Sequence, residues 1–134
     1  MQDFIFNTPT KVYFGKDKEK LVGQIVSELG YKKIMIQYGQ GSAKRSGLID
    51  TVLSSLKEFN IDAVVVSGVE PNPKLSFVYD AIKVAKEEKV EMILAVGGGS
   101  VLDSSKTTAA AAVAIKLFNF NFCFFLYCAY CFLT

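Results

Sequence analysis

Met92-Ile93-Leu94-Ala95-Val96 is an unbroken apolar run that passes directly into Gly97-Gly98-Gly99-Ser100 and then into an alanine-rich stretch. A strand with no polar residue at alternate positions suits a sheet covered on both faces, the usual state of a parallel sheet layered by helices. Ala63-Val64-Val65-Val66 has the same character, and Lys33 to Tyr38 is a third expected strand, ending at Gly39-Gln40-Gly41-Ser42. Apolar residues at helical spacing separate them: Leu21, Val22, Ile25, Val26 and Leu29, stopped by Gly30; Leu48, Val52, Leu53, Leu56 and Phe59, broken by Asn60; Phe77, Ala81, Ile82 and Ala85. A further helix is expected from Asp103 to about Ile115. Shorter β-rich runs at Phe4–Asn7 and Lys11–Phe14 flank Thr8-Pro9. Strands alternating with amphipathic helices specify an α/β fold with a largely parallel sheet and right-handed connections.

With 134 residues the chain makes one domain and little more. Fifteen Lys and Arg against thirteen Asp and Glu leave a formal net charge of +2, which argues against a nucleic-acid partner. The chain has no histidine, so no imidazole serves it as base, proton shuttle or metal ligand. Three cysteines are too few for a disulfide framework. The opening Met1-Gln2-Asp3 shows no signal-peptide pattern, and a cytoplasmic location is expected.

Charge is unevenly distributed. Every charged residue lies between Asp3 and Lys116, whereas Leu117 to Thr134 has none and eight Phe or Tyr. Residues 1–116 therefore form the organised unit and residues 117–134 a separate aromatic tail. Three readings stay open for that tail: an aberrant reading frame or truncated end, a buried strand, or a membrane anchor, the last weakened by Asn119 and Asn121. As it stands, an uncharged aromatic surface with high strand propensity favours aggregation.

The glycine triplet carries the chemistry. Three glycines at the carboxyl end of a buried strand let a ligand approach the backbone, and the free amides of the following helix turn attract an anion. Gly97, Gly98, Gly99 and Ser100 are thus candidate phosphate or pyrophosphate contacts, with Ser100 as cap or hydroxyl donor. The bland alternative is a tight strand–helix turn without a ligand. Neither G-x-G-x-x-G nor G-x-x-x-x-G-K-[ST] is present. Asp103 and Lys106 share a helix face at spacing three, Asp103 being expected in the first turn, where the helix dipole favours it regardless of function. A carboxylate repels phosphate, so a functional Asp103 meets a sugar hydroxyl, an amide or the substrate. Lys106 either neutralises phosphate or pairs with Asp103.

The second glycine turn contains Gly39, Gly41 and Ser42, followed by Lys44 and Arg45, with no acid before Asp50. An NAD pocket usually holds the ribose hydroxyls with Asp or Glu, whereas a hydroxyl and cations suit the 2′-phosphate of NADP. A solvated basic pair on a surface turn is the alternative. Asn72, between Pro71 and Pro73, has a preset backbone that either presents its side chain to a ligand or makes a plain turn.

In combination and order, Phe4–Asn7 with Thr8-Pro9-Thr10, Val12-Tyr13-Phe14-Gly15, Tyr38-Gly39-Gln40-Gly41-Ser42, Gly68-Val69-Glu70-Pro71-Asn72-Pro73 and Ala95-Val96-Gly97-Gly98-Gly99-Ser100-Val101-Leu102-Asp103 resemble the N-terminal cofactor domain of the iron-containing alcohol dehydrogenases. The nearer subgroup is the NADPH-dependent butanol dehydrogenases and aldehyde reductases. The resemblance implies a partial Rossmann-like sheet of the dehydroquinate synthase-like N-terminal type. It implies pyrophosphate at Gly97–Ser100, Asp103 near the ribose and nicotinamide, Gly39, Gly41 and Ser42 along the adenosine ribose, and Asn72 lining the cleft. It further implies NADPH as cofactor and reversible hydride transfer between a primary alcohol and its aldehyde. Family members bind iron or another divalent metal through an aspartate and histidines in a second, helical domain. None of those ligands can be carried over to this chain, and the resemblance fades after about Ala112. The chain is therefore expected to be an incomplete cofactor domain, inactive by itself; a homo-oligomer is compatible with it. A stand-alone nucleotide module and a sugar-phosphate-binding domain of the same class remain alternatives.

Overall fold

The computed structural model describes residues 11–114. A short 3-10 turn, Lys18–Leu21, leads into helix α1 (Val22–Glu28), strand β1 (Lys33–Gly39), the short helix α2 (Ser42–Arg45) and helix α3 (Leu48–Glu58). Strand β2 (Asp62–Val69), helix α4 (Leu75–Glu87), strand β3 (Met92–Val96) and helix α5 (Gly99–Ala114) follow. The three strands form one parallel sheet in the order β2-β1-β3. This is the α/β architecture expected from the strand-then-helix alternation. No helix among the described residues is long and apolar enough to cross a membrane.

Strand side chains alternate between faces, so each face builds its own core. Ile34, Ile36 and Tyr38 of β1, with Met92, Leu94 and Val96 of β3, pack against Val22 and Val26 of α1 and Val52 and Leu56 of α3. On the opposite face Met35 and Ile93 meet Ala85 of α4 and Ala109 of α5, while Ala95 meets Val101. Ile34, Met35, Ile36 and Leu94 are fully enclosed, each side chain contributing about 1.5–3 kcal/mol of burial. The crossing of α1 and α3 is close: the Gly23 amide donates to Ser55 Oγ at 2.9 Å, and that hydroxyl donates to the Lys20 carbonyl at 2.6 Å.

Three local expectations are corrected. Ala63–Val66 does lie within a strand, but β2 is not covered on both faces; Val65 is 42% exposed and Asp62 and Ser67 face solvent. Within the described sheet β2 is flanked by β1 alone, and helices centred over the middle strand leave its outer side chains in water. Lys11–Phe14 forms no strand, with Val12 82% and Phe14 69% exposed. Strand propensity there has no ladder partner among the described residues to act on. Helix α5 starts at Gly99 rather than Asp103, because the Gly98 carbonyl accepts from the Val101 and Leu102 amides at 3.0 and 3.1 Å. The Phe4–Asn7 run, the three cysteines and the tail from Leu117 lie outside the described residues.

Candidate functional site

Because the strands are parallel, the three loops that follow them emerge at one edge of the sheet. After β1 comes Gly39-Gln40-Gly41, after β2 Glu70-Pro71-Asn72-Pro73, after β3 Gly97-Gly98. Neighbouring strands β1 and β3 end in register, with Tyr38 opposite Val96. From β1 the chain leaves toward α3 on one face, and from β3 toward α5 on the other. Such a divergence opens a crevice at the strand ends, the usual ligand position in an open α/β sheet. Both glycine turns singled out from the sequence border it.

Gly97 is buried, with φ +153°, and a Cβ there would lie 2.7 Å from Val101 Cγ2. The close passage of the chain under α5 therefore requires glycine. Gly98 and Gly99 are different: both are exposed, and a Cβ at either would meet no protein atom within 4 Å. Packing makes no demand there, and the ground in front of the first turn of α5 is open. The Gly99 and Ser100 amides precede the first helical bonds, where a helix leaves its N–H groups without an internal acceptor. The first turn of this 16-residue helix has no acidic residue to oppose its positive end. Ser100 sits within that turn, so Gly98 is the cap and Ser100 is not.

Asp103 lies in the second turn of α5, a correction to its expected first-turn place that follows from the earlier helix start. It is exposed, and its carbonyl accepts from the Thr107 hydroxyl at 2.8 Å. Lys106 is also exposed and stands roughly 10 Å along the axis from Gly99, given ~1.5 Å per residue. Among the described residues the ion pair offered by the Asp103–Lys106 spacing is not formed. The structure thus brings Gly97 and Gly39 together at Val101, leaves Gly41 further along the β1 turn against Arg45, sets Asp103 one turn further on, and leaves Lys106 outside the first turn.

At the β1 turn, a Cβ on Gly39 would lie 3.7 Å from Val101 Cγ2, so the two glycine turns share one neighbour. Ser42 opens α2, and the Arg45 amide donates to the Gly41 carbonyl at 2.9 Å. The Arg45 guanidinium folds back over its own turn; a Cβ on Gly41 would be 3.0 Å from Nη1. Among the described residues neither Lys44 nor Arg45 has a carboxylate within ion-pair distance. Asn72 is exposed in the left-handed region, φ 56°, a conformation Asn tolerates better than most residues. It stands on the outer loop, beside the β1 turn rather than the glycine triplet.

Several residues were not legible as site components. Gln40 Nε2 donates to Glu70 Oε1 at 3.2 Å, and Lys74 Nζ meets Glu70 Oε2 at 3.0 Å, tying the first two loops together. A glutamine between two turn glycines was the available signal. Below the crevice Gln37 is fully buried and donates to Thr108 Oγ1 of α5 at 3.3 Å. Its polarity inside an apolar strand was likewise a signal.

The donor set does not fit an iron site. The sequence has no histidine, and no three of Cys, Asp and Glu converge among the described residues. The open cradle at Gly98–Gly99, by contrast, fits a phosphate group.

Known proteins are similar to this chain in sequence and fold. The family described as iron-containing alcohol dehydrogenase matches residues 9–122. NADH-dependent butanol dehydrogenase A of Clostridium acetobutylicum is 44% identical over 110 residues, 82% of this chain and 28% of that protein. The NADPH-dependent aldehyde reductase YqhD of Escherichia coli is 43% identical over 113 residues, 84% of this chain and 28% of its own length. The crystal structure of NADH-dependent butanol dehydrogenase A from Thermotoga maritima superimposes with a TM-score of 0.79 at 49% identity, covering 84% of this chain and 28% of that one. The chain thus spans little more than a quarter of the length of these relatives.

Proposed function

Since this chain belongs to the iron-containing alcohol dehydrogenase family, we propose that its crevice binds the dinucleotide of an alcohol–aldehyde oxidoreductase, with NADPH preferred over NADH. The observation that carries the reading is the open ground before Gly98 and Gly99 at the switch point between β1 and β3. On this reading the pyrophosphate rests on the first amides of α5. The adenosine ribose lies along Gly39–Gly41, and Asp103, beyond the anion, is left for a hydroxyl or amide of the ligand.

The cofactor preference rests on the cations. Relatives are named for NADH as well as NADPH, so the family alone does not decide it. In this chain no acid follows the β1 turn before Asp50, while Arg45 lies over the turn without a carboxylate partner among the described residues. A guanidinium so placed suits a 2′-phosphate.

The reaction served is hydride transfer between NADPH and a small aldehyde, or NADP and a primary alcohol, in the cytoplasm. When bound, the nicotinamide supplies the hydride. This chain's residues hold and orient the dinucleotide, and these 134 residues do not carry metal-dependent turnover because the donor set for the metal is missing from the sequence. Titration followed by nicotinamide fluorescence tests this. Saturable NADPH binding, tighter than NADH and tighter than glucose 6-phosphate, is expected, with no butyraldehyde reduction when Fe²⁺ is added. Tighter sugar-phosphate binding would overturn the dinucleotide reading, and metal-dependent turnover would overturn the division of labour.

A further inference from the structure

The β1 turn is cationic on one side and touches a carboxylate on the other. At the end of β2 the register shifts, Tyr38 pairing with Ser67 but Gly39 with Val69, so Gly68 is the extra residue. Immediately beyond, Glu70 reaches the β1 turn, where Oε1 accepts from Gln40 Nε2 at 3.2 Å. Its other oxygen, Oε2, is held by Lys74 Nζ at 3.0 Å. Lys74 is fixed at the N-cap of α4, four residues on from Glu70. Both carboxylate oxygens are therefore engaged, one by an amide and one by an ammonium.

The position matters because of what a carboxylate does beside adenosine ribose. Free, it accepts hydrogen bonds from the 2′- and 3′-hydroxyls and so favours NAD. It also repels a 2′-phosphate, as any like-charge pair at short range does. Paired with Lys74 and bonded to Gln40, Glu70 has its charge partly offset by the adjacent ammonium and has fewer lone pairs to offer.

We infer that Glu70, clamped by Gln40 and Lys74, is a specificity-determining residue that sets the balance between NADPH and NADH. This rests on the dinucleotide reading of the crevice. Among the described residues Glu70 is the one carboxylate bonded to the β1 turn, and the clamp masks it, leaving Arg45 to dominate the local field. Releasing it moves the preference toward NADH, because the freed oxygens accept from the ribose hydroxyls and the restored charge repels a 2′-phosphate.

The test is a double-mutant cycle on the full chain, reading the ratio of NADH to NADPH dissociation constants by nicotinamide fluorescence, with circular dichroism and melting as fold controls. Lys74→Met is expected to narrow the preference for NADPH about two- to fivefold, the range of an exposed ion pair. Gln40→Ala should act in the same direction and less. In a Glu70→Gln background both substitutions should lose their effect on the ratio, because no charge remains to release. If Lys74→Met costs the same NADPH affinity in both backgrounds, the lysine contacts phosphate directly and the inference fails. If wild type prefers NADPH but no substitution moves the ratio, the inference fails while the cofactor reading stands. A wild-type chain that does not distinguish the two cofactors overturns the cofactor preference, and the clamp with it.

Discussion

Gly97 and Val101 are in conflict over space: a Cβ on the glycine would sit 2.7 Å from the valine's Cγ2, with the glycine at φ +153°. The last residue leaving β3 and the first buried residue of α5 are thereby locked together, and the helix must begin where it does. One residue on, Gly98 has no such neighbour within 4 Å.

Replacement by alanine should separate the two glycines. Gly97→Ala combines steric overlap with unfavourable backbone and is expected to cost about 2–4 kcal/mol in urea unfolding. Gly98→Ala is expected to change stability by less than about 0.5–1 kcal/mol while weakening NADPH at least tenfold, since its methyl group occupies the open ground. Equal stability losses would mean that both glycines serve packing only.

Arg45→Ala should weaken NADPH about tenfold or more and NADH hardly at all, as expected for loss of one charge-assisted contact to a phosphate. Parallel titrations check this. Equal losses for the two cofactors would assign Arg45 to the turn rather than to the 2′-phosphate.

These sites differ in how far the sequence reveals them. Met92–Val96 is an uninterrupted apolar run, and the strand occupies those residues. Ala63–Val66 has the same composition but sits in the outer strand of the described sheet, where Val65 is 42% exposed. Strand order comes from long-range pairing, which local composition does not encode. The position of Asp103 differs from the expectation for a local reason: alanine richness marks the middle of a helix, whereas the start depends on the Gly98 carbonyl accepting from Val101 and Leu102. The glycine turns were legible because glycine at a strand end has few other uses. Their juxtaposition across the switch point, and the Gln40–Glu70–Lys74 link, needed the sheet order.

The contact between α1 and α3 offers a stability test remote from the crevice. Ser55 Oγ both accepts from the Gly23 amide and donates to the Lys20 carbonyl. Ser55→Ala removes both bonds and should cost about 1–3 kcal/mol in thermal or urea unfolding. Gly23→Ala should be worse, because its Cβ would overlap the Ser55 carbonyl. An unchanged Gly23→Ala midpoint would show that the helices do not cross there.

Gln37 has an opposite expectation. Its Nε2 makes one long bond to Thr108, and Oε1 has no hydrogen-bond partner among the described residues. Thr108 Oγ1 still donates to the Ser104 carbonyl at 2.9 Å if Gln37 is removed. Gln37→Met should therefore be neutral or stabilising by up to about 1 kcal/mol, despite full burial of the site. A loss above about 2 kcal/mol would show that the amide is satisfied more fully than its single bond indicates.

The central claim is that the crevice between the two glycine turns holds the dinucleotide, and amide chemical shifts report on it residue by residue. On titration of the ¹⁵N-labelled chain with NADPH, the largest saturable shifts should fall on Gly39–Gly41 and on Gly97–Ser100. They should be strongly reduced at Gly97–Ser100 in Gly98→Ala. Shifts centred instead on the polar hollow lined by Lys20, Asp50 and Glu58, or saturable binding that leaves the Gly97–Ser100 amides unmoved, would contradict the account.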